Sequence, residues 1–452
     1  MSGSGVSPLA KMNHAHHHHR ERRARLIAEM RSQTGGGLAA VPTSPQSIRN
    51  ADTHYPYRPD SHFYYLSGFP EPEAVIVLAA GLEAGDSRQV LFCRDKNAER
   101  EIWDGFRYGP EAAREIFAFD EAYSITELPA RLIEWSCDRP ALYTPLGLYG
   151  EWDHSITTTL NEVRNRVRTG IAAPEAVIDV RAALGAMRVV KDAEELRLMR
   201  RAAEISVAAH ARAMARTRPA WYEYQVEAEL AHEFLRSGAQ AVAYPPIVAS
   251  GPNACVLHYR DNNRQMQANE LLLIDAGCEF EGYASDITRT FPVGGKFSGP
   301  QKAIYELVLA AQLACIDAVA PGKPFHDYHR AAERVLARGL IDLKLCEGSL
   351  DAVLESGAYK QFYMHRAGHW LGLDVHDVGL YRVGGESRLL EPGMVLTVEP
   401  GCYIRPADSV PEDFWDIGVR IEDDVLITAQ GTENLTAHAP KSTADVEAAC
   451  AR

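Results

Sequence analysis

No two of the eight cysteines form a Cys-x-x-Cys pair. Cys93, Cys137, Cys255, Cys278, Cys315, Cys346, Cys402 and Cys450 are scattered along the chain, which excludes a disulfide framework and a zinc ribbon. No stretch approaches the roughly 18 consecutive apolar residues of a membrane span, and the start carries no apolar signal-peptide core. Excess positive charge is missing as well. At a formal −14, the surface repels phosphate backbones and anionic lipid. The expectation is a protein of the cytoplasm, a reducing compartment, with no nucleic-acid and no membrane partner. A His-Glu-x-x-His helix is also absent, so the chain is no zincin.

What is present is an ordinary globular mixture. The 452 residues are 46% hydrophobic and 24% charged, enough for two large domains or three smaller ones. Residues 1–25 are polar, with His14, His16, His17, His18 and His19 nearly forming a run. Metal capture is one reading; a loose His-rich tail is the expected one. Residues 26–180 alternate strand-like runs (Ala74–Ala79, Val90–Cys93) with helical patterns (Ala112–Phe117, Ile125–Trp135), which predicts an α/β domain. Residues 181–441 open with a helix capped by Asp192 and Glu195 and mix helices with strands in blocks, which predicts an α+β domain. Residues 442–452 read as a C-terminal tail.

The chemistry concentrates in the second of these domains. The apolar strand Leu271–Asp275 is followed by a turn and by Ser285-Asp286-Ile287-Thr288. A turn centred on Phe280-Glu281 places Asp275 and Asp286 opposite each other. Directly opposed like charges on paired strands repel, so a divalent cation between hard oxygen donors is one resolution. A turn-flanking pair with one exposed acid is the other. Further on, His365, His369 and His376 fall within twelve positions, interleaved with glycines that permit close backbone approach. Glu399 ends the apolar run Val395–Val398. Arg420 and Glu422 share one strand face at period two. Four carboxylates (Asp275, Asp286, Glu399, Glu422) and one imidazole (His369) balance the charge of two divalent ions. That balance suits a two-metal hydrolase. An exposed strand remains the alternative for the last segment.

These segments resemble the five metal-ligand motifs of the pita-bread metallopeptidases: LLLIDAG, SDITRTFPV, GHWLGLDVHDVG, LTVEPG and GVRIEDD, in that order. Together with Arg49-Asn50-Ala51-Asp52 and Tyr55-Pro56-Tyr57-Arg58, they are most similar to the aminopeptidase P branch of that family. The resemblance implies an α/β N-terminal domain followed by an α+β pita-bread catalytic domain. It implies hydrolysis of the N-terminal Xaa-Pro bond of peptides with proline second, by a hydroxide bridging two metal ions. Asp286 and Glu422 would bridge the metals, His369 and Glu399 would complete one shell, and Asp275 would chelate the other ion. Glu399 would also accept the proton of the nucleophilic water. His258 and His376 match outer histidines that stabilise the tetrahedral intermediate. Arg420 matches an arginine behind the ligands, and His365 and Tyr403 match positions near the proline pocket. Asp52 and Trp103 match residues that reach a neighbouring active site in the family's tetramers, so a homo-oligomer is expected.

Oxygen-rich ligation with one imidazole suits Mn²⁺, with Co²⁺ and Zn²⁺ as alternatives. The family usually has Gly after the first histidine of the run. Arg366 stands there, so a different backbone path and pocket shape are expected around His365. Creatinase lacks the ligands, and methionine aminopeptidase is usually shorter. Prolidase, which requires a free carboxylate directly after proline, is the alternative activity. A non-catalytic pita-bread peptide-binding module is the alternative class; such modules typically lose metal ligands that are intact here.

Overall fold

A computed structural model describes residues 16–81 and 84–451. It divides between Met187 and Arg188 into two compact units. The first centres on a six-stranded sheet in the spatial order 121–124, 88–93, 75–80, 37–42, 141–144, 176–179. Pairings within it are both antiparallel (37–42 with 75–80, 75–80 with 88–93) and parallel (37–42 with 141–144, 141–144 with 176–179). The strand at 75–80 is buried along its whole length, which is why it reads as an uninterrupted apolar run. This is the expected α/β architecture.

The boundary expected at residue 180 falls seven residues early. The strand Ala176–Asp179 pairs into the first sheet, and most of the helix Arg181–Arg188 stays with it. At the start of the chain, residues 1–15, including His14, lie outside the described residues. The expected tail, however, runs straight into a helix over His17–Thr34. Its buried face is His19, Arg22, Arg23, Leu26, Ile27 and Met30. Three of these six are polar, so apolar periodicity understates the helix. Arg23 is buried because its guanidinium donates to the Leu66 carbonyl at 2.8 Å, the Ala118 carbonyl at 2.6 Å and Gln89 Oε1 at 2.7 Å.

The second unit joins long helices to small antiparallel sheets. The helix Ala193–Arg216 begins as expected: Asp192 accepts the Glu194 and Glu195 amides, and the Glu195 carboxylate returns to the Asp192 amide. Its apolar face of Leu198, Ala202, Ile205 and Ala209 is buried. Helices 223–236, 299–318 and 327–342 complete that layer. Three-stranded sheets (247–250, 271–275, 288–292; and 395–398, 423–428, 431–434) and the pair 401–404 with 417–420 carry the site residues. The expected C-terminal tail is a helix, Thr443–Cys450, capped by Ser442 and anchored by fully buried Val446.

The acidic hairpin differs from expectation in register. Its two-residue turn is Glu281-Gly282, with φ of 48° and 84°, and Phe280 faces Tyr283 across it. Two consecutive positive φ values describe the turn that matches strand twist, and glycine makes the second one inexpensive. The turn therefore lies one residue later than expected. Asp275 faces Thr288 rather than Asp286, and Asp286 sits in the irregular stretch between the two ladder segments.

Candidate metal centre

Three ligand-type atoms converge despite that shift. One donor atom each from Asp286, His369 and Glu422 lies within 4.8 Å of the others. His369 Nε2 is 3.5 Å from Asp286 Oδ2 and 3.6 Å from Glu399 Oε1. Asp275 joins through Tyr244, whose hydroxyl reaches Asp275 Oδ1 at 2.6 Å and also Asp286 Oδ1. The five expected ligands thus occupy one region of the second unit, at the inner end of a cavity of about 780 Å³.

Each side chain is aimed by its backbone. Gly368 lets the chain pass against the strand at 395–398; a Cβ there would stand 2.0 Å from the Thr397 carbonyl oxygen. The His369 amide then donates to Thr397 Oγ1 at 3.1 Å. His369 Nδ1 bonds the Trp370 carbonyl at 2.9 Å. A carbonyl only accepts, so Nδ1 carries the proton and Nε2 presents its lone pair to the cluster. Glu422 Oε2 accepts from Thr288 Oγ1 at 2.6 Å, and Thr288 lies on the strand that faces Asp275. The Asp286 amide donates to Asp424 Oδ2 at 3.1 Å.

A chain of hydrogen bonds runs behind the ligands. Arg420 donates from Nη2 to Asp275 Oδ2 at 2.6 Å, from Nη1 to the Tyr403 hydroxyl at 2.9 Å, and from Nε to Thr288 Oγ1 at 3.2 Å. His365 Nδ1 bonds the Arg366 carbonyl at 2.8 Å, so its Nε2 accepts from the Tyr403 hydroxyl at 2.8 Å. Burial, then Arg420, depresses the His365 pKa to about 3, consistent with a neutral ring. Tyr403 is fully buried and its hydroxyl is engaged on both sides. It holds His365 and Arg420 in place rather than facing the cavity.

The electrostatics test whether cations fit. Burial, followed by Asp275, pushes the Asp286 pKa well up; burial, followed by Asp286, does the same to Glu422. Glu399 is raised to about 8 by burial and then by Glu422. Among the described residues, Arg420 is the one guanidinium bonded to a carboxylate of these ligands, and one cation does not offset this concentration of acid. Hard oxygen donors, one correctly presented imidazole and uncompensated buried negative charge together fit divalent metal ions.

His258 and His376 line the same cavity from exposed positions. The His376 ring stands edge-on to that of His369 at 4.3 Å between centroids. Arg366 is an exposed residue of the lining with no positive φ, so the backbone there does not require glycine. Asp52 and Trp103 belong to the first unit, where both are exposed and Trp103 keeps 83% of its surface; neither lines this cavity.

Sequence reading missed Tyr244, Thr288, Asp423 and Asp424. Nothing local marks Tyr244, which lies 31 residues before the acid it bonds. The run Glu422-Asp423-Asp424 did hold a signal, because successive strand residues face opposite ways and the other two acids need partners of their own. Arg289 is that partner for Asp423, at 2.6 Å, and it also donates to the Glu422 carbonyl at 2.5 Å.

Comparison with known proteins agrees with this geometry. Residues 197–429 match the model of metallopeptidase family M24, and residues 19–143 match the aminopeptidase P N-terminal domain. The chain is 43% identical over 427 residues to the Xaa-Pro aminopeptidase of Escherichia coli K12, covering 94% of this chain and 96% of that one. It is 32% identical to human Xaa-Pro aminopeptidase 3, covering 94% of this chain and 83% of the relative. Among solved structures, the Pseudomonas aeruginosa aminopeptidase PepP superposes with a TM-score of 0.93 at 47% identity, covering 98% of both chains. A zinc-substituted E. coli aminopeptidase P in complex with product matches with a TM-score of 0.93 at 42% identity and 99% coverage of both.

Proposed function

This chain belongs to metallopeptidase family M24, and from that premise we infer that it is a metal-dependent Xaa-Pro aminopeptidase. It hydrolyses the first peptide bond of peptides with proline second and releases the N-terminal residue. The convergence of Asp286, His369 and Glu422 within 4.8 Å, flanked by Glu399 and Asp275, carries this reading. Asp286, His369, Glu422, Glu399 and Asp275 would hold the divalent ions. Four carboxylates and one imidazole would suit Mn²⁺, with Co²⁺ and Zn²⁺ as the alternatives. When bound, the ions offset the buried charge, polarise the scissile carbonyl and make water nucleophilic at neutral pH.

The chain's own groups do the rest. His258 and His376 donate hydrogen bonds to the oxygen on which charge develops as the carbonyl becomes tetrahedral. Glu399 accepts the proton of the attacking water. The prolyl nitrogen has no hydrogen before cleavage and must gain one to leave as an amine; Glu399 is placed to return it. His365, fixed by Tyr403, borders the space for the proline ring. Asp52 and Trp103, exposed on the first unit, serve the active site of a neighbouring subunit in a tetramer. The working compartment is the cytoplasm.

The decisive test is turnover of Xaa-Pro-Yaa against Xaa-Pro after metal depletion and reconstitution with Mn²⁺. Cleavage of the tripeptide that depends on added metal is expected. Full activity in a demonstrably metal-free preparation ends the two-metal reading. Cleavage of the dipeptide alone replaces the aminopeptidase by a prolidase.

A further inference from the structure

Three guanidinium groups stand on the exposed rim of the same cavity whose inner end holds the acids. They come from separate segments: Arg260, two residues after His258; Arg366, directly after His365; and Arg382, which opens the small hairpin 382–387. All three are exposed. None is within ion-pairing distance of a carboxylate among the described residues. Asp261 follows Arg260 in sequence, and Glu386 lies on the paired hairpin strand, where it faces Val383 while Ser387 faces Arg382; neither acid closes a pair. Asp327, the other nearby acid, is taken by Arg330 at 3.4 Å. Arg382 is oriented by its own turn, donating from Nε to the Gly385 carbonyl at 2.9 Å. His326, also in the lining, is held below its ordinary pKa by burial and then by Arg366, Arg382 and Arg330.

In a chain of net charge −14, three unpaired cations around one opening need a reason. The cavity's lining supplies it, because the same cavity holds both the acids and these three guanidinium groups. A peptide whose first bond lies against Glu399 and His369 must send whatever follows proline out past this rim. On the aminopeptidase reading, we propose that Arg260, Arg366 and Arg382 form a specificity wall that selects peptides carrying a carboxylate just beyond the proline. That carboxylate is either an acidic side chain or the free C-terminus of a short peptide. Both present the same planar pair of acceptor oxygens to a guanidinium fork. Arg366 is central among the three because it adjoins His365, which borders the proline position.

The test compares kcat/KM within matched sets on the Mn²⁺-reconstituted full chain. One arm uses C-terminally amidated Ala-Pro-Yaa-Ala with Yaa as Asp, Asn or Lys. The other uses Ala-Pro-Ala as free acid and as amide. An exposed pair contributes at most about a factor of five, so Asp over Asn, or acid over amide, is expected at roughly that ratio, with Lys below Asn. The ratio falls toward one in high salt, as exposed charges are screened. Arg366→Gln lowers the ratio and Arg366→Lys restores part of it, each measured against its own neutral peptide. Preference in the first arm identifies the side chain as the ligand, and preference in the second identifies the terminus. Ratios of one in both arms, with the neutral peptides cleaved well, overturn the wall and leave the aminopeptidase standing. No cleavage of any Xaa-Pro peptide overturns the aminopeptidase itself.

Discussion

Glu422 and Asp423 are neighbours in the chain and equally withdrawn from solvent, at 2% and 0% exposure, yet they titrate in opposite directions. Burial and then Asp286 push Glu422 well above the ordinary carboxylate range. Burial works against Asp423 too, but Arg289 and then Lys441 overcome it and hold the pKa at about 2. Asp423 receives Arg289 at 2.6 Å, Lys441 at 2.6 Å, Gln312 at 2.8 Å, Asn434 at 2.8 Å and Thr436 at 2.9 Å. Asp377 repeats the pattern, with Arg188 at 2.5 Å and Lys191 at 3.0 Å. Burial alone therefore does not distinguish a framework acid from a site acid. The number of chain cations set against the acids does: two meet Asp423, while Arg420, on Asp275, serves the whole cluster of Asp275, Asp286, Glu399 and Glu422. Where cations match the acid, as at Asp423, it is a fixed anchor; where four acids share one guanidinium, buried negative charge is left that divalent cations would offset.

The contrast is broken most sharply by exchanging losses between the two neighbours. Glu422→Ala is expected to lose at least one metal ion and to lower turnover by more than about 100-fold, the upper end of what outlying ligand partners cost. The metal-free form of that variant should be no less stable than metal-free wild type, since a repelled buried charge is gone. Metal analysis and urea unfolding together read both. Two tightly bound ions per chain would contradict the bridging role. Asp423→Asn should do the reverse. Leaving Arg289 without its buried counter-charge costs about 3–5 kcal/mol of stability, visible in the same urea titration, while folded molecules still bind metal.

The exposed histidines of the cavity lining sharpen the comparison from the other side, because on the proposed mechanism they touch the reaction without supporting the fold. His258→Ala and His376→Ala should keep metal content and unfolding midpoint, and lower kcat by about 10²–10³, or ~2.7–4 kcal/mol. A rise in KM at unchanged kcat would assign them to ground-state binding instead.

Per pH unit, the smallest effect is in the pH dependence of stability. Glu399, raised from 4.5 to about 8, binds its proton more tightly folded than unfolded. Metal-free protein should accordingly lose stability as pH rises from 4.5 toward 8, by at most about 1.4 kcal/mol per pH unit for each proton released. Asp423 has the opposite sign: its stabilisation is complete above the ordinary carboxylate pKa and is lost as pH falls toward about 2. Unfolding free energies of the metal-free protein at pH 5, 6, 7 and 8 check the first limb. A flat profile would mean that the cluster acids are already compensated within the chain.

Much of this was legible before any coordinates. Five ligand motifs in order, apolar strands ending in acids at Asp275 and Glu399, and the Asp192–Glu195 cap are local patterns, and local patterns survive in a linear string. Other features were hidden for definite reasons. The helix at His17–Thr34 buries His19, Arg22 and Arg23, so a search for apolar periodicity passes over its first turns. The hairpin register turned on which pair of residues takes positive φ, and Glu281 is an unusual occupant of such a position. Tyr403, expected near the proline pocket, does not line the cavity, and Arg420 and His365 claim both sides of its hydroxyl.

Residue order, then, was enough to name candidate ligands and the chemistry they suit, because donor type and spacing along strands are properties of the chain itself. It could not say which buried acids are already neutralised. Asp423 meets Arg289 across 134 positions and Asp377 meets Arg188 across 189, and no periodicity connects partners so far apart. Whether a carboxylate is an anchor or a ligand depends on charge within a few ångströms, and only the folded packing of distant segments sets that distance.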